Sequence, residues 1–346
     1  MNILLFGNSS LLRFDEEKKI ASALAKRGHK IYIVSNIRYK PKHKNIHVIK
    51  IHFSEYKSNL IDIKDRIDAV LGIDQSVSAF VSEYKHRRNI KSYCLFLSFP
   101  SHEIDGTSNI HYRPDFSQKF YYWLNCSLEL DGVIFNSKKF QEEYKKKYRR
   151  NSFYSKVSFL SENLINSFDE KFFSKEDYIF GCYKLVSKKN LDVFLTDLRH
   201  MPYNYKHAYS IYDEKYLELI KAYAKTIDNN IVLYRNPTEE EKYSLIYKAK
   251  MIAYPACNVL SFGKVVIEGM ALKTPSVVND SDIQREMYGE GVLFAKSKKD
   301  FADKTISLCE DKEFNKKLAE AGYDMFCKEL SIERTVERIE DILKNG

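Results

Sequence analysis

The chain has 346 residues, 44% hydrophobic and 30% charged, with a formal net charge of +9. That length favours two domains, and the composition is that of a soluble globular protein. No run approaches the roughly 18 uninterrupted apolar residues of a membrane span, and the modest positive charge permits anionic partners without naming one.

The opening "MNILLFGNSSLLRFDEE" has no basic leader and reads as a first core strand, not a signal peptide. "FDEEKKIASALAKRGH" follows as a helix, with Ile20, Ala23, Leu24 and Arg27 on one face. Asp15, Glu16 and Glu17 stand at its start and Lys26 and Arg27 at its end, as the helix dipole favours, and Gly28 stops it. "KIYIVS" is the second strand. A strand–helix–strand unit of about thirty residues calls for a parallel sheet with a right-handed crossover. The turn after the first strand has a single glycine, Gly7, and no GxGxxG; the acids that follow oppose a pyrophosphate. This argues against nicotinamide and flavin cofactors.

"AVLGI", "SYCLFLSF" and "DGVIFNS" read as further buried strands, and "FSQKFYYWLNCSLEL" and "SKKFQEEYKKKY" as helices. His43, His47 and His52 lie in or beside a strand-like segment and lack the spacing of a zinc site. The cysteines at 94, 126, 182, 257, 309 and 327 are scattered, without CxxC, and read as reduced residues of a cytoplasmic protein. In "KKFQEEYKKKYRR" (138–150), Phe140, Tyr144 and Tyr148 recur every four residues, so one side packs and lysines ring the other. That ring is either a plain solvated face or a patch that touches an acidic membrane surface. No nucleic-acid recognition motif accompanies the charge.

The polar stretch 161–177 is the predicted linker. A second α/β series follows: strand "YIFGCYKL", helix "NLDVFLTDLRHM", strand "KHAYSIY", helix "EKYLELIKAYAKTI", strand "NIVLYR", helix "TEEEKYSLIYKA" capped by Thr238, and strand "KMIAYPA". An apolar helix and the strand "PSVVND" come next, and the chain from Asp300 is largely helical. The expected fold is α/β, with two doubly wound Rossmann-like domains facing across a cleft and ligands beyond the carboxyl ends of the strands. The expected limits are 1–165 and 178–330, with a helix at 331–346 packing back toward the first domain.

The second half carries the candidate chemistry. In "NVLSFGKVVIEGM" (258–270), Ser261 is placed to cap a helix, and Phe262, Gly263 and Lys264 bring backbone N–H groups to its first turn. Gly263 lets a ligand approach closely. Glu268, two turns in, is either a helix residue beside a lysine or a two-oxygen acceptor for a vicinal diol such as a ribose. In "GCYKLVSKKNLDVF", Lys184 leaves a strand end and Lys189 precedes the next helix, so both can supply positive charge to a diphosphate. "DSD" (280–282) reads as a turn rather than a metal site.

These segments resemble the retaining glycosyltransferases of the family-4 type with the GT-B fold. The resemblance runs over about residues 1–335 and is most specific in the second half. "SFGKVVIEGMALKTPSVV" is similar to the family's Phe-Gly, four residues, Glu, Met-Ala, small residue and Pro-Val-Val. "KLVSKKNLDVF" matches with Lys184 in the family's Arg place and Lys189 in its Lys place, and Glu286 sits where members often carry a glutamate. "NPTEEEKYSLIYKAKMIAYPA", "LAKRGHKIYIVS" and "DGVIFNSKKFQEEY" are also similar to family segments. His102, after "CLFLSFPS", falls where many members keep a histidine near the reacting sugar.

The resemblance implies a hexosyltransferase of glycan biosynthesis. Its donor is a nucleotide-diphosphate sugar and its acceptor a glycan or lipid-linked molecule held by the first domain. Lys184 and Lys189 would neutralise the leaving diphosphate, the residues from Ser261 to Lys264 would bind it, and Glu268 would hold the ribose. No cofactor or metal is required, and the expected location is cytoplasmic, with peripheral contact at an anionic inner membrane face. Two departures stand out: Leu260 occupies the place of the family's glutamate eight positions before Glu268, and the glycine-rich first turn is reduced to "GNSS". Leu260 and Lys184 keep open a catalytically impaired nucleotide-sugar-binding homologue, and the shared two-domain architecture keeps open a nucleotide-sugar epimerase.

Overall fold

The computed structural model describes residues 1–7, 16–35, 40–51, 61–96, 122–168, 175–198, 201–227, 231–256 and 263–346. The chain divides into two compact units, Met1–Phe159 with Ile332–Gly346, and Leu160–Ser331.

In the first unit the strands are β1 (Asn2–Gly7), β2 (Lys30–Ser35), β3 (Ile46–Lys50), β4 (Ala69–Ile73), β5 (Lys91–Phe96), β6 (Gly132–Phe135) and β7 (Ser152–Tyr154). They form one sheet in the order β3-β2-β1-β4-β5-β6-β7, with parallel pairings throughout. The continuous apolar run of β1 explains its central place: Ile3, Leu4, Leu5 and Phe6 are fully buried, as a strand covered on both faces requires. Helices α1 (Glu16–Lys26), α2 (Ser78–Arg88) and α3 (Lys138–Tyr148) link the strands. Helix α1 keeps Glu16 and Glu17 in its first turn and Lys26 in its last, and Gly28 turns the chain at a φ of +90°. In α3, Phe140 and Tyr144 are buried while Lys145, Lys146 and Lys147 are exposed.

The second unit holds β8 (Tyr178–Cys182), α4 (Leu191–Leu198), β9 (Asn204–Tyr209), α5 (Glu214–Ala224), β10 (Ile231–Arg235), α6 (Glu239–Lys248) and β11 (Met251–Tyr254). It continues with α7 (Lys264–Ala271), β12 (Ser276–Asn279), α8 (Asp282–Tyr288), β13 (Leu293–Ala295), α9 (Lys298–Glu310) and α10 (Lys312–Met325). The sheet order is β10-β9-β8-β11-β12-β13, again parallel. Helix α6 starts in a capping box: Glu241 N–H donates to Thr238 Oγ1 at 3.2 Å, and Thr238 N–H donates to Glu241 Oε2 at 2.7 Å. Within 161–177, residues Glu162–Ser167 form a 3₁₀ helix, and Leu164, Ile165 and Phe168 pack on the core of this unit.

After Ser331 the chain returns to the first unit as α11 (Ile332–Asn345). Ile332, Val336, Ile339 and Leu343 recur at helical spacing and pack in one core with Ile20 and Leu24. Glu340 accepts from Arg27 Nε at 2.6 Å and is also paired with Lys344. Those cations, Lys344 first, pull its carboxyl down to about 2.

Candidate active site

Lys184, Lys189, Gly263, Lys264 and Glu268 stand on the segments that follow β8 and β11, at the carboxyl edge where parallel sheets bind ligands. Beyond Cys182 the backbone makes a short 3₁₀ turn, Ser187–Lys189, closed by Asn190 at a φ of +53°. Lys184 is exposed on this segment and Lys189 is half-buried. The Lys189 ammonium donates to Tyr254 Oη at 3.1 Å. Burial, and then repulsion from Lys184, pushes its pKa down to about 8. At pH 7 about nine-tenths of such a group still carries its charge.

Gly263 is the N-cap of α7, and among the described residues no side chain caps the helix. The expected cap, Ser261, lies outside the described residues, as do Phe262, Leu260 and His102. One expectation is corrected. The Gly263 N–H is already used, donating to Tyr288 Oη at 2.7 Å, and Tyr288 Oη donates back to the Gly263 carbonyl at 3.1 Å. A fully buried phenol needs a partner, and it clamps the helix start. Glycine is required at 263 for close packing: a Cβ there would lie 2.8 Å from Cε2 and Cζ of Tyr254. Lys264 is exposed at the first turn, and the first-turn amides of a helix have no i−4 carbonyl.

Glu268 is buried, with 6% of its surface exposed, which decides against a simple solvated helix residue. Its Oε1 accepts from Lys242 Nζ of α6 at 2.7 Å. Among the described residues, its Oε2 has no partner. Burial opposes the charge of Lys242, but the Glu268 carboxylate more than offsets it, so the lysine pKa lies above its ordinary value. Cys182 and Tyr243 lie within electrostatic reach of the same carboxylate, which adds to the upward push that burial gives both. Glu286 is half-buried on α8.

The structure therefore joins Lys189, Gly263 and Glu268 through β11 and α7, with Lys184 near enough to act on Lys189 by charge. Sequence reading missed Tyr254, Tyr288 and Lys242. One signal for Lys242 existed: it stands four residues before the buried Ile246, and so shares the inward face of α6.

Elsewhere, "DSD" serves as a helix start. The Ser281 side chain accepts from Gln284 N–H, and Asp280 Oδ2 accepts from Arg285 Nη2 at 2.6 Å. His47 stacks on Tyr32. Among the described residues no three His, Cys, Asp or Glu side chains converge as metal ligands, no disulfide forms, and no helix is long and apolar enough to cross a membrane. A separate pocket of about 310 Å³, lined by Phe168, Tyr247, Lys273 and Tyr323 among others, lies beyond the C-terminal end of α7, away from these groups.

Residues 164–325 match the family model of glycosyl transferases group 1. The fold is that of GT-B structures. A glycosyltransferase from Rickettsia africae superposes with a TM-score of 0.74 at 14% identity, covering 99% of this chain and 98% of that one. Anabaena HepE in complex with UDP gives 0.74 at 13% identity, with full coverage of both chains (100% each). A sucrose-phosphate synthase from Thermosynechococcus elongatus gives 0.71 at 11% identity over 99% and 98%. No curated protein matches the chain. The family match lies within the second unit, and the likeness to the solved structures shows the GT-B fold.

Proposed function

We propose that the protein transfers a sugar from a nucleoside-diphosphate sugar to a glycan or lipid-linked acceptor, with retention of configuration and without a metal. The observation that carries this reading is one strand edge holding a cation, a helix start and a carboxylate with an oxygen unshared among the described residues. Lys189, aided by Lys184, balances charge as the diphosphate leaves, and the start of α7 adds its dipole. Glu268 accepts from the ribose hydroxyls through Oε2 while Lys242 fixes the other oxygen. Glu286 contributes from α8, and His102 acts near the reacting sugar. Structural neighbours support the donor class, since HepE is described in complex with UDP and with UDP-glucose.

Binding of uridine, guanosine, adenosine and thymidine diphosphate sugars, followed by transfer assays, tests this. Glu268→Ala and Lys189→Ala should each lower affinity or turnover about tenfold or more, since a charged hydrogen bond contributes about 1.5–3 kcal/mol. Binding by both variants at the unaltered level would remove the site assignment.

Leu260 motivates a second reading, a nucleotide-sugar binder with weakened transfer. A large gain in transfer from Leu260→Glu would favour it; a loss would favour an adapted site. The exposed lysines of α3 also support peripheral contact with an anionic membrane surface, at the cytoplasmic face in this reading. Charge reversal of Lys145, Lys146 and Lys147 should abolish cosedimentation with phosphatidylserine vesicles, and unaltered cosedimentation would exclude that contact.

A further inference from the structure

We propose that Tyr254 is a positioning residue of the donor site: its hydroxyl sets the Lys189 ammonium beside the start of α7 and offers its own proton to the same diphosphate oxygen. This deepens the reading above and rests on it. Three observations fix the ring. Its oxygen accepts from Lys189 Nζ at 3.1 Å. Gly263 packs so closely on its outer carbons that no Cβ fits between them. Tyr183 meets it edge-on, with centroids 5.6 Å apart at 81°. One rigid side chain thus spans from the cation to the helix cap.

Tyr183 is itself held by a buried chain whose proton directions can be assigned. His207 is fully buried, and burial pushes its pKa down to about 3, so the ring is neutral. Its Nε2 lies 3.1 Å from the Tyr183 carbonyl, which can only accept, so Nε2 carries the proton. Its Nδ1 then accepts from Tyr205 Oη at 3.0 Å. Tyr205 has spent its proton, so it accepts from Tyr183 Oη at 3.2 Å. Every proton of this chain is used inward. Tyr254 differs: its oxygen accepts from Lys189, and its hydroxyl proton has no acceptor among the described residues. An O–H donor beside an ammonium is a ready pair for one anionic oxygen.

Tyr254→Phe keeps the ring and removes the oxygen. With inorganic pyrophosphate as the probe, calorimetry at pH 7 should show binding weakened about tenfold. A second measurement needs no ligand. Among the described residues, the groups facing Lys189 are Lys184 on its own segment and Tyr254 of β11. Loss of the acceptor disfavours the charged ammonium, so the Lys189 ¹³Cε titration midpoint should fall below its starting value of about 8. A purely structural tyrosine would leave that midpoint in place. Unaltered pyrophosphate binding and an unmoved midpoint in Tyr254→Phe, with binding lost in Lys189→Ala, would overturn the role of Tyr254 and leave the site standing. Unaltered binding in both variants would overturn the anion site itself.

Discussion

Lys242 and Glu268 form an ion pair whose removal can be read in stability as well as in binding. A charged hydrogen bond contributes about 1.5–3 kcal/mol, and leaving one partner of a buried pair alone costs about 3–5 kcal/mol. The lysine side chain remains 19% exposed and the glutamate 8%, so water reaches one partner and the lower figures apply. Lys242→Met should therefore destabilise the second unit by about 2–3 kcal/mol, and Glu268→Gln by about 1–2 kcal/mol. The double variant should fall short of their sum by about 1–2 kcal/mol, because the second change removes the charge that the first stranded. Two units need not unfold together, so the probe matters. The chain's single tryptophan is Trp123, in the first unit, and its fluorescence should be unmoved. Urea unfolding followed by far-UV dichroism, with hydrogen exchange of α7, reports the second unit. The sign with pH follows from the raised lysine pKa. The lysine's contribution is fully present below its unfolded value of 10.5 and is lost as pH rises through the higher folded value. Additive single effects, within about 0.5 kcal/mol, would refute the coupling and with it the fixed carboxylate.

Three further outcomes are expected. Gly263→Ala forces its Cβ onto the Tyr254 ring and should lower stability by about 1–3 kcal/mol, with weaker nucleotide binding; a thermal midpoint and affinity equal to the parent's would contradict the close packing. The pKa of Lys189 is depressed to about 8, and a bound diphosphate should raise it, so binding at pH 8.5 should take up a proton that binding at pH 6.5 does not. Calorimetry in buffers of different ionisation enthalpy measures that uptake, and equal heats in all buffers at pH 8.5 would count against it. Glu340 is depressed from 4.5 to about 2, so the stability it gives is present above pH 4.5 and is lost as pH falls toward 2. Glu340→Gln should flatten that part of the acid-unfolding curve, and an unchanged slope would show that other carboxylates govern it.

The alternation of short apolar runs with amphipathic helices made both parallel sheets legible, since strands buried on two faces carry a signal that survives without context. What escaped notice was short or weakly patterned. Helix α2 buries Ser78, Val81, Ser82 and Tyr84, too mixed a set to show an apolar stripe. Strands β7 and β13 have three residues each, below the length at which alternation can be read. In the site, Lys189, Gly263 and Glu268 were marked by their spacing and family likeness. Tyr254 and Tyr288 were two among 25 tyrosines, and only contact with Lys189 and Gly263 separates them from ordinary core residues. The Gly263 N–H was expected at the ligand's disposal; no local pattern announces a phenol arriving from 25 residues downstream.

Because α11 belongs to the unit that contains β1, the polypeptide passes between its halves twice, once at 159–160 and once at 331–332. On a ribosome the amino-terminal half would have to wait, its groove around Ile20 and Leu24 uncovered, until residues 332–343 had emerged. A fragment stopping at 331 should then be recovered as aggregate, and should become soluble when the missing peptide is co-expressed.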